Sequence, residues 1–216
     1  AVAAIDAEQT DLARAYAERA GQTHEGLSTL GMLALAEDDV DQSLALFDRA
    51  LEADPDSARG RLGRGLGLLA KGDAAAAARD IERSAEVFGD HLGSWVAAGW
   101  AHFVQGDYPT SRRMFERTVA LDDTFAEGHG GLAVLDVMQG ETASAERRCE
   151  IALRLDRASL SGALAKSLIL AAQGDLATAE RVRNIALNAP VGPNGRTIAQ
   201  ALVGLGAAPS GRSPRR

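Results

Sequence analysis

Aromatic side chains make up only 4% of the 216 residues, while alanine and the other aliphatics bring the apolar fraction to 46%, with 23 glycines beside them. A chain so poor in rings suits helices packed closely through small residues better than a deep aromatic enzyme pocket. There is one cysteine, Cys149, which excludes an internal disulfide framework and any multi-thiolate zinc site. It leaves the compartment open, cytoplasmic or periplasmic alike. Basic charge is also short: 23 Lys and Arg against 30 Asp and Glu give a net charge of -7 and a pI near 5.1. That balance does not displace phosphate counterions, so nucleic acid is not an expected partner. The basic cluster Arg212, Arg215 and Arg216 belongs to a Gly/Pro/Ser-rich end expected to be a disordered tail. No apolar run approaches the roughly 18 residues of a spanning helix, so direct membrane insertion is not expected. The first residues are Ala1-Val2 rather than Met, as expected of a processed mature protein or of a piece of a longer chain.

What the chain does have is a period of 34 residues. Counting from His24, new units start at Ala58, Leu92, Ala126 and Leu160. Position eight of each unit is small: Gly31, Gly65, Gly99, Ala133 and Ser167. Position twenty is Ser43, Ala77, Ser111, Ala145 and Ala179, and position twenty-seven is Ala50, Ser84, Thr118, Ala152 and Ala186. Small residues at fixed places let one helix approach another closely. Between the two helices of each unit lies a turn: Asp38-Asp39, Gly72-Asp73, Gly106-Asp107, Gly140-Glu141 and Gly174-Asp175. Glycine there can end a helix in the left-handed conformation, and the following acid favours the start of the next.

This pattern resembles the tetratricopeptide repeat family, whose units are helix-turn-helix hairpins of this length. The resemblance implies an all-α, right-handed superhelical solenoid of about five hairpins with capping helices at its ends. The expected division is a helix over 1–23 (a cap, or half of a repeat), repeats at 24–57, 58–91, 92–125 and 126–159, and a degenerate fifth at 160–193. A capping helix at 194–205 and the tail at 206–216 complete it. The helix over 1–20 carries a loose apolar stripe of Ile5, Leu12, Ala13, Tyr16 and Ala20. Departures from the family pattern are plain as well. At position four only Trp95 keeps an aromatic, and position twenty-four keeps Phe47 and Phe115 but becomes Ile81, Cys149 and Arg183.

No catalytic constellation has convincing spacing, and the chain is expected not to be an enzyme and to need no cofactor or metal. The glycines Gly60, Gly63, Gly65 and Gly67 superficially suggest a phosphate loop, yet no strand precedes them. Cys149 and His129 fall on facing helices of one hairpin, but the position of Cys149 is one reserved for a core side chain. His102 and Asp136 share position eleven in adjacent repeats, where a polar pair between stacked first helices is the expected arrangement.

The family's concave face is lined by first helices, and the resemblance implies that a partner binds there. Position nine supplies Met32, Leu66, Trp100, Val134 and Leu168. Position twelve adds Leu35, Leu69, Phe103, Val137 and Ala171, and positions five and thirteen add Leu62, Val96, Leu164, Val104 and Met138. At the positions where some family members clamp a peptide carboxylate with Lys, Arg and Asn, only Arg59 is basic. The expected function is therefore a scaffold or chaperone-like adaptor for an apolar or helical segment of another protein, as in bacterial assembly or secretion complexes. Three alternatives stay open: a self-associating subunit, a module of a longer protein with an enzymatic domain elsewhere, and side chains simply consumed in packing.

Overall fold

Capping residues and turn residues cut the sequence into helices of almost constant length. In the computed structural model, which describes residues 7–188, these are α1 (Ala7–Ala20), α2 (His24–Ala36), α3 (Val40–Ala53), α4 (Ala58–Lys71), α5 (Ala74–Phe88) and α6 (Leu92–Gln105). They continue as α7 (Tyr108–Leu121), α8 (Ala126–Met138), α9 (Thr142–Leu155), α10 (Leu160–Ala172) and α11 (Leu176–Leu187). No strand occurs among the described residues. Ile5, the expected capping helix at 194–205 and the tail lie outside them.

Each second helix starts on a short acid. Asp39, Asp73, Asp107 and Asp175 accept a hydrogen bond from the backbone N–H three residues on, at 3.0–3.1 Å, which satisfies a donor that the first helical turn leaves free. Glu141, one methylene longer, makes no such bond. The preceding turn needs a left-handed residue: Gly72 and Gly106 both have φ of 86°, and in the first hairpin Asp38 takes φ 65° without being glycine.

Packing follows from the side chain at position twenty-four. The Phe47 ring on α3 fills a slot between Gly31 on α2 and Gly63 on α4; a Cβ added to Gly63 would lie 2.1 Å from the ring, and one on Gly31 2.9 Å away. Two repeats later Phe115 sits the same way between Gly99 and Gly131, where added Cβ atoms would stand 2.7 and 2.5 Å from it. Where the wedge is smaller the slot is smaller too. Ile81 packs on Gly65, where an added Cβ would stand 2.4 Å from it, in a cluster that Ala97 also touches, and Cys149 shares a cluster with Ala133 and Ala165. Wedge size and slot size thus change together along the chain, and Phe47, Phe115 and Ile81 are fully buried. The glycines of α4 all face close neighbours, Gly63 and Gly65 the wedges Phe47 and Ile81, Gly60 the Leu51 side chain and Gly67 that of Leu44; all four are buried inside a helix, with no phosphate loop.

Stacking is not uniform. The first helices α8 and α10 lie directly against each other, whereas α4 and α6 stand apart and are joined through α5. At the close crossing a Cβ on Gly130 would meet the Gly162 nitrogen at 2.5 Å. Glu127 of α8 ties it down by accepting from the backbone N–H groups of Leu160 (2.9 Å) and Ser161 (3.1 Å) and from the Ser161 hydroxyl. A carboxylate at a helix N-terminus is favourable for both hydrogen-bonding and dipolar reasons. The helix α1 packs on α2 but buries Ala17, not the stripe expected of it; Leu12 and Tyr16 are 54% and 60% exposed.

Two outcomes follow from this packing. Gly63→Ala gains helix propensity yet drives a methyl into Phe47, so it should lower stability by about 1–3 kcal/mol, and Phe47→Ile in the same chain should recover most of the loss in urea unfolding. A Gly63→Ala variant as stable as the parent would contradict the wedge. The second outcome concerns acid. The hydroxyl and backbone N–H of Thr110, Thr124 and Thr178 hold Asp107, Asp122 and Asp175 below the ordinary carboxylate range. A depressed folded pKa means stability that is present above the unfolded value, near pH 4, and lost as pH falls through the lower folded values. Unfolding midpoints should fall from pH 6 toward pH 3, and less steeply when all three are replaced by Asn, whose side-chain oxygen still caps α7 and α11 and still accepts from Thr124 at position 122.

Candidate functional site

The residues expected to line a binding face occupy one side of α2, α4, α6, α8 and α10. Met32, Leu35, Leu66, Leu69, Trp100, Phe103, Val137 and Leu168 are half-buried there. Trp100 stands edge-on to Phe115, with ring centroids 5.3 Å apart, and to Phe103 at 5.4 Å. Both rings also rest on the cores of the third to fifth hairpins. Val134 differs from the others: at 1% exposure it is part of the core, because α10 is drawn onto α8 and covers it. The side chains open to solvent on these helices are Val104 (65%), Met138 (53%) and Leu164 (36%), from positions five and thirteen. A position fixes a helical phase, while exposure depends on how near the next first helix comes.

His102 and Asp136 do not pair with each other. His102 Nε2 is 2.8 Å from Glu82 Oε2 on α5, and Nδ1 is 3.7 Å from Asp107 Oδ2. Asp136, 2% exposed, accepts from Arg112 at Oδ1 (2.6 Å) and from the Ser144 hydroxyl at Oδ2 (2.7 Å), with Arg148 Nε 3.1 Å from Oδ2 as well. Position eleven points at the second helices, not along the row of first helices, and so each residue takes partners from α5, α7 or α9. A third network of this kind joins Arg64 to Asp80 (2.6 and 3.0 Å) and Asp48 (3.1 Å). These carboxylates, Asp80 first, push the Arg64 guanidinium further toward its charged form. All three networks hold one hairpin to the next.

Cys149 and His129 form no dyad. Cys149 is 3% exposed, its Sγ points at the Gly162 carbonyl at 3.5 Å, and burial pushes its thiol pKa up, away from the thiolate that a nucleophile needs. His129 Nε2 is 2.8 Å from the Asp123 carbonyl oxygen. Among the described residues no group of three or more His, Cys, Asp or Glu could hold a metal ion, and no helix is long and apolar enough to cross a membrane.

The family model described as "Tetratricopeptide repeat" matches residues 28–91, the first two hairpins. Those residues belong to the tetratricopeptide repeat family. The remaining hairpins repeat the same fold, as the solved structures show. TTC0263, a tetratricopeptide repeat protein of Thermus thermophilus, is 19% identical with a TM-score of 0.63, over 76% of this chain and 90% of its own. PilF of Pseudomonas aeruginosa is 18% identical with a TM-score of 0.62, over 88% of this chain and 82% of its own. YrrB, a tetratricopeptide repeat protein with an unusual peptide-binding site, is 16% identical with a TM-score of 0.57, over 79% and 88%. No curated protein matches the chain in sequence. Proteins of this fold mediate protein–protein interaction and are in general scaffolds, not enzymes.

A cavity at the start of α2 and α4, lined in part by Phe88, leaves one mark in the sequence: Phe88 stands where Asp54, Asp122 and Asp156 end three of the other second helices. For the buried networks, Asp136→Ala strands Arg112 and Arg148, whose side chains are 25% and 31% exposed. It should cost about 2–3 kcal/mol in chemical denaturation, a buried-pair penalty reduced by that exposure. A loss too small to measure would show the network to be ornamental.

Proposed function

We propose that this protein is a non-enzymatic interaction scaffold which holds an apolar or amphipathic segment of another protein, most simply a helix, along the face of its first helices. The observation that carries the reading is the exposure of Val104, Met138 and Leu164 beside the half-buried Trp100 and Phe103. Large apolar side chains in a row are an unusual surface for a free monomer, and a helix laid in a groove presents anchors at the spacing to meet them. Met138 and Met32 give that face adaptable side chains, and the aromatic pair gives it rigid ones. YrrB, which shares the fold, has a peptide-binding site. An adaptor or chaperone-like role in an assembly or secretion complex fits the same face, as does membership of a longer, multidomain chain.

A second reading is self-association, favoured by apolar side chains at the two ends of the described stack: Leu12 and Tyr16 on α1, Leu176 and Ile185 on α11, all more than half exposed. One experiment separates the two. Val104→Glu with Met138→Glu leaves the core untouched, and it should weaken binding of a model amphipathic peptide about tenfold or more while the mass from light scattering stays the same. Unchanged peptide binding would overturn the face. A fall in mass on Tyr16→Glu with Ile185→Glu, peptide binding being unchanged, would favour contact between copies through the ends of the stack.

A further inference from the structure

A cavity of about 370 Å³ opens where α2, α4 and α5 end or begin, lined by His24, Glu25, Ser28, Asp54, Asp56, Ser57, Ala58, Arg59 and Phe88. Its volume is in the range of a small-ligand pocket. Its polar wall is mostly anionic, with carboxylates from Glu25, Asp54 and Asp56 against the single guanidinium of Arg59. The His24 ring bridges two of those acids, Nε2 lying 3.0 Å from Glu25 Oε1 and Nδ1 3.5 Å from Asp54 Oδ2. Ser57 Oγ is 3.3 Å from Nδ1 as well. Asp54 is further fixed by accepting from the Asp56 N–H at 3.1 Å. Ser28, 3% exposed, also lines the cavity, and its buried hydroxyl has no hydrogen-bond partner.

Phe88 makes the pocket specific to this place in the array. Three of the other second helices end on an extended aspartate, whereas α5 runs on to Phe88 and turns at Gly89 with φ of 71°. An aromatic side chain, tilted against the His91 ring with centroids 5.3 Å apart, thereby lines the same cavity as a cluster of acids, and rings attract cations as well as apolar stems. The pocket also lies at the N-terminal end of the α2 face that carries Met32 and Leu35. Glu25, Ser28, Met32 and Leu35 are spaced three and four residues apart on α2, so they form one stripe of the helix.

We propose that this cavity receives a lysine or arginine side chain of the segment bound along the apolar face, its stem against Phe88 and its charged head among Glu25, Asp54 and Asp56. The inference rests on the groove reading above and refines the partner to an apolar segment carrying a basic residue near one end. It also gives the acidic balance of the chain a local meaning, since at position two, where Arg59 stands in the second repeat, the first repeat has Glu25.

Backbone NMR titration of the full chain with Nα-acetyl-arginine methylamide tests the pocket. The expected result is saturable shifts confined to residues 24–28, 54–59 and 88, and none from Nα-acetyl-norleucine methylamide, which keeps the stem without the charge. Glu25→Gln with Asp56→Asn, both exposed and outside the core, should weaken binding about fivefold or more, and Arg59→Ala, which removes the competing cation, should strengthen it. Equal shifts from the norleucine compound, shifts scattered over the acidic surface, or indifference to the Glu25 and Asp56 changes would overturn the proposal. Peptide binding that still depends on Val104 and Met138 in the same preparation would then show that the pocket alone has failed and the groove stands.

Discussion

The stack depends on a ring driven between two backbones. Phe47 and Phe115 each occupy space that a Cβ on either flanking helix would invade, so the first helix of a hairpin, its second helix and the first helix of the next are locked through one side chain. Interiors packed at crystal density leave no slack for an extra methyl, and for this reason the flanking residues are glycine where the wedge is phenylalanine and alanine where it is cysteine. The fifth hairpin has Arg183 at that position, paired with Glu180 at 3.8 Å on the surface. No ring is available there to hold a further helix in the same way.

Everything else is hung on that spacing. Because the wedges hold second helices against first helices, polar side chains of the first helices find partners on the second helices. The Asp136, Arg64 and His102 networks are the result. Because the wedges consume the inner side of each first helix, its opposite side is left to be either covered by a neighbour or exposed. At α8 the neighbour arrives, through Gly130 and Glu127, and Val134 disappears into the core. Val104 on α6 and Met138 on α8, both at position thirteen, stay open although α8 has a close neighbour and α6 does not have α4 against it. The close approach at α8 therefore decides the burial of Val134, while position thirteen keeps its side chains on the open side of the face on which a partner is proposed to lie.

The repeat and its turns were legible because they depend on local chemistry. A left-handed residue followed by a capping aspartate recurs at fixed spacing, and a 34-residue count finds it without any knowledge of packing. The tetratricopeptide resemblance was legible for the same reason. Distances between helices were not legible, since spacing along a sequence gives the angle of a side chain about its own helix and says nothing about how far away the next one is. His102 was expected to meet Asp136 on that incomplete ground, and Val134 was expected to be open. The pocket at Phe88 was hidden because it needs three helices to converge and a helix to overrun its usual end. The matching of Phe47 with Gly63 and of Cys149 with Ala165 was present in the residues all along, but only the contact itself says which positions to compare.

Docking of a helical segment on the open face of the first helices is open to photo-crosslinking, with a benzophenone side chain placed in turn at Val104, at Met138 and, on a second helix, at Arg83, against an amphipathic model peptide carrying one arginine near its end. Adducts are expected from positions 104 and 138, suppressed by unlabelled peptide, and none above background from 83. Equal labelling from all three, or labelling from 83 alone, would place the peptide elsewhere and rule this face out.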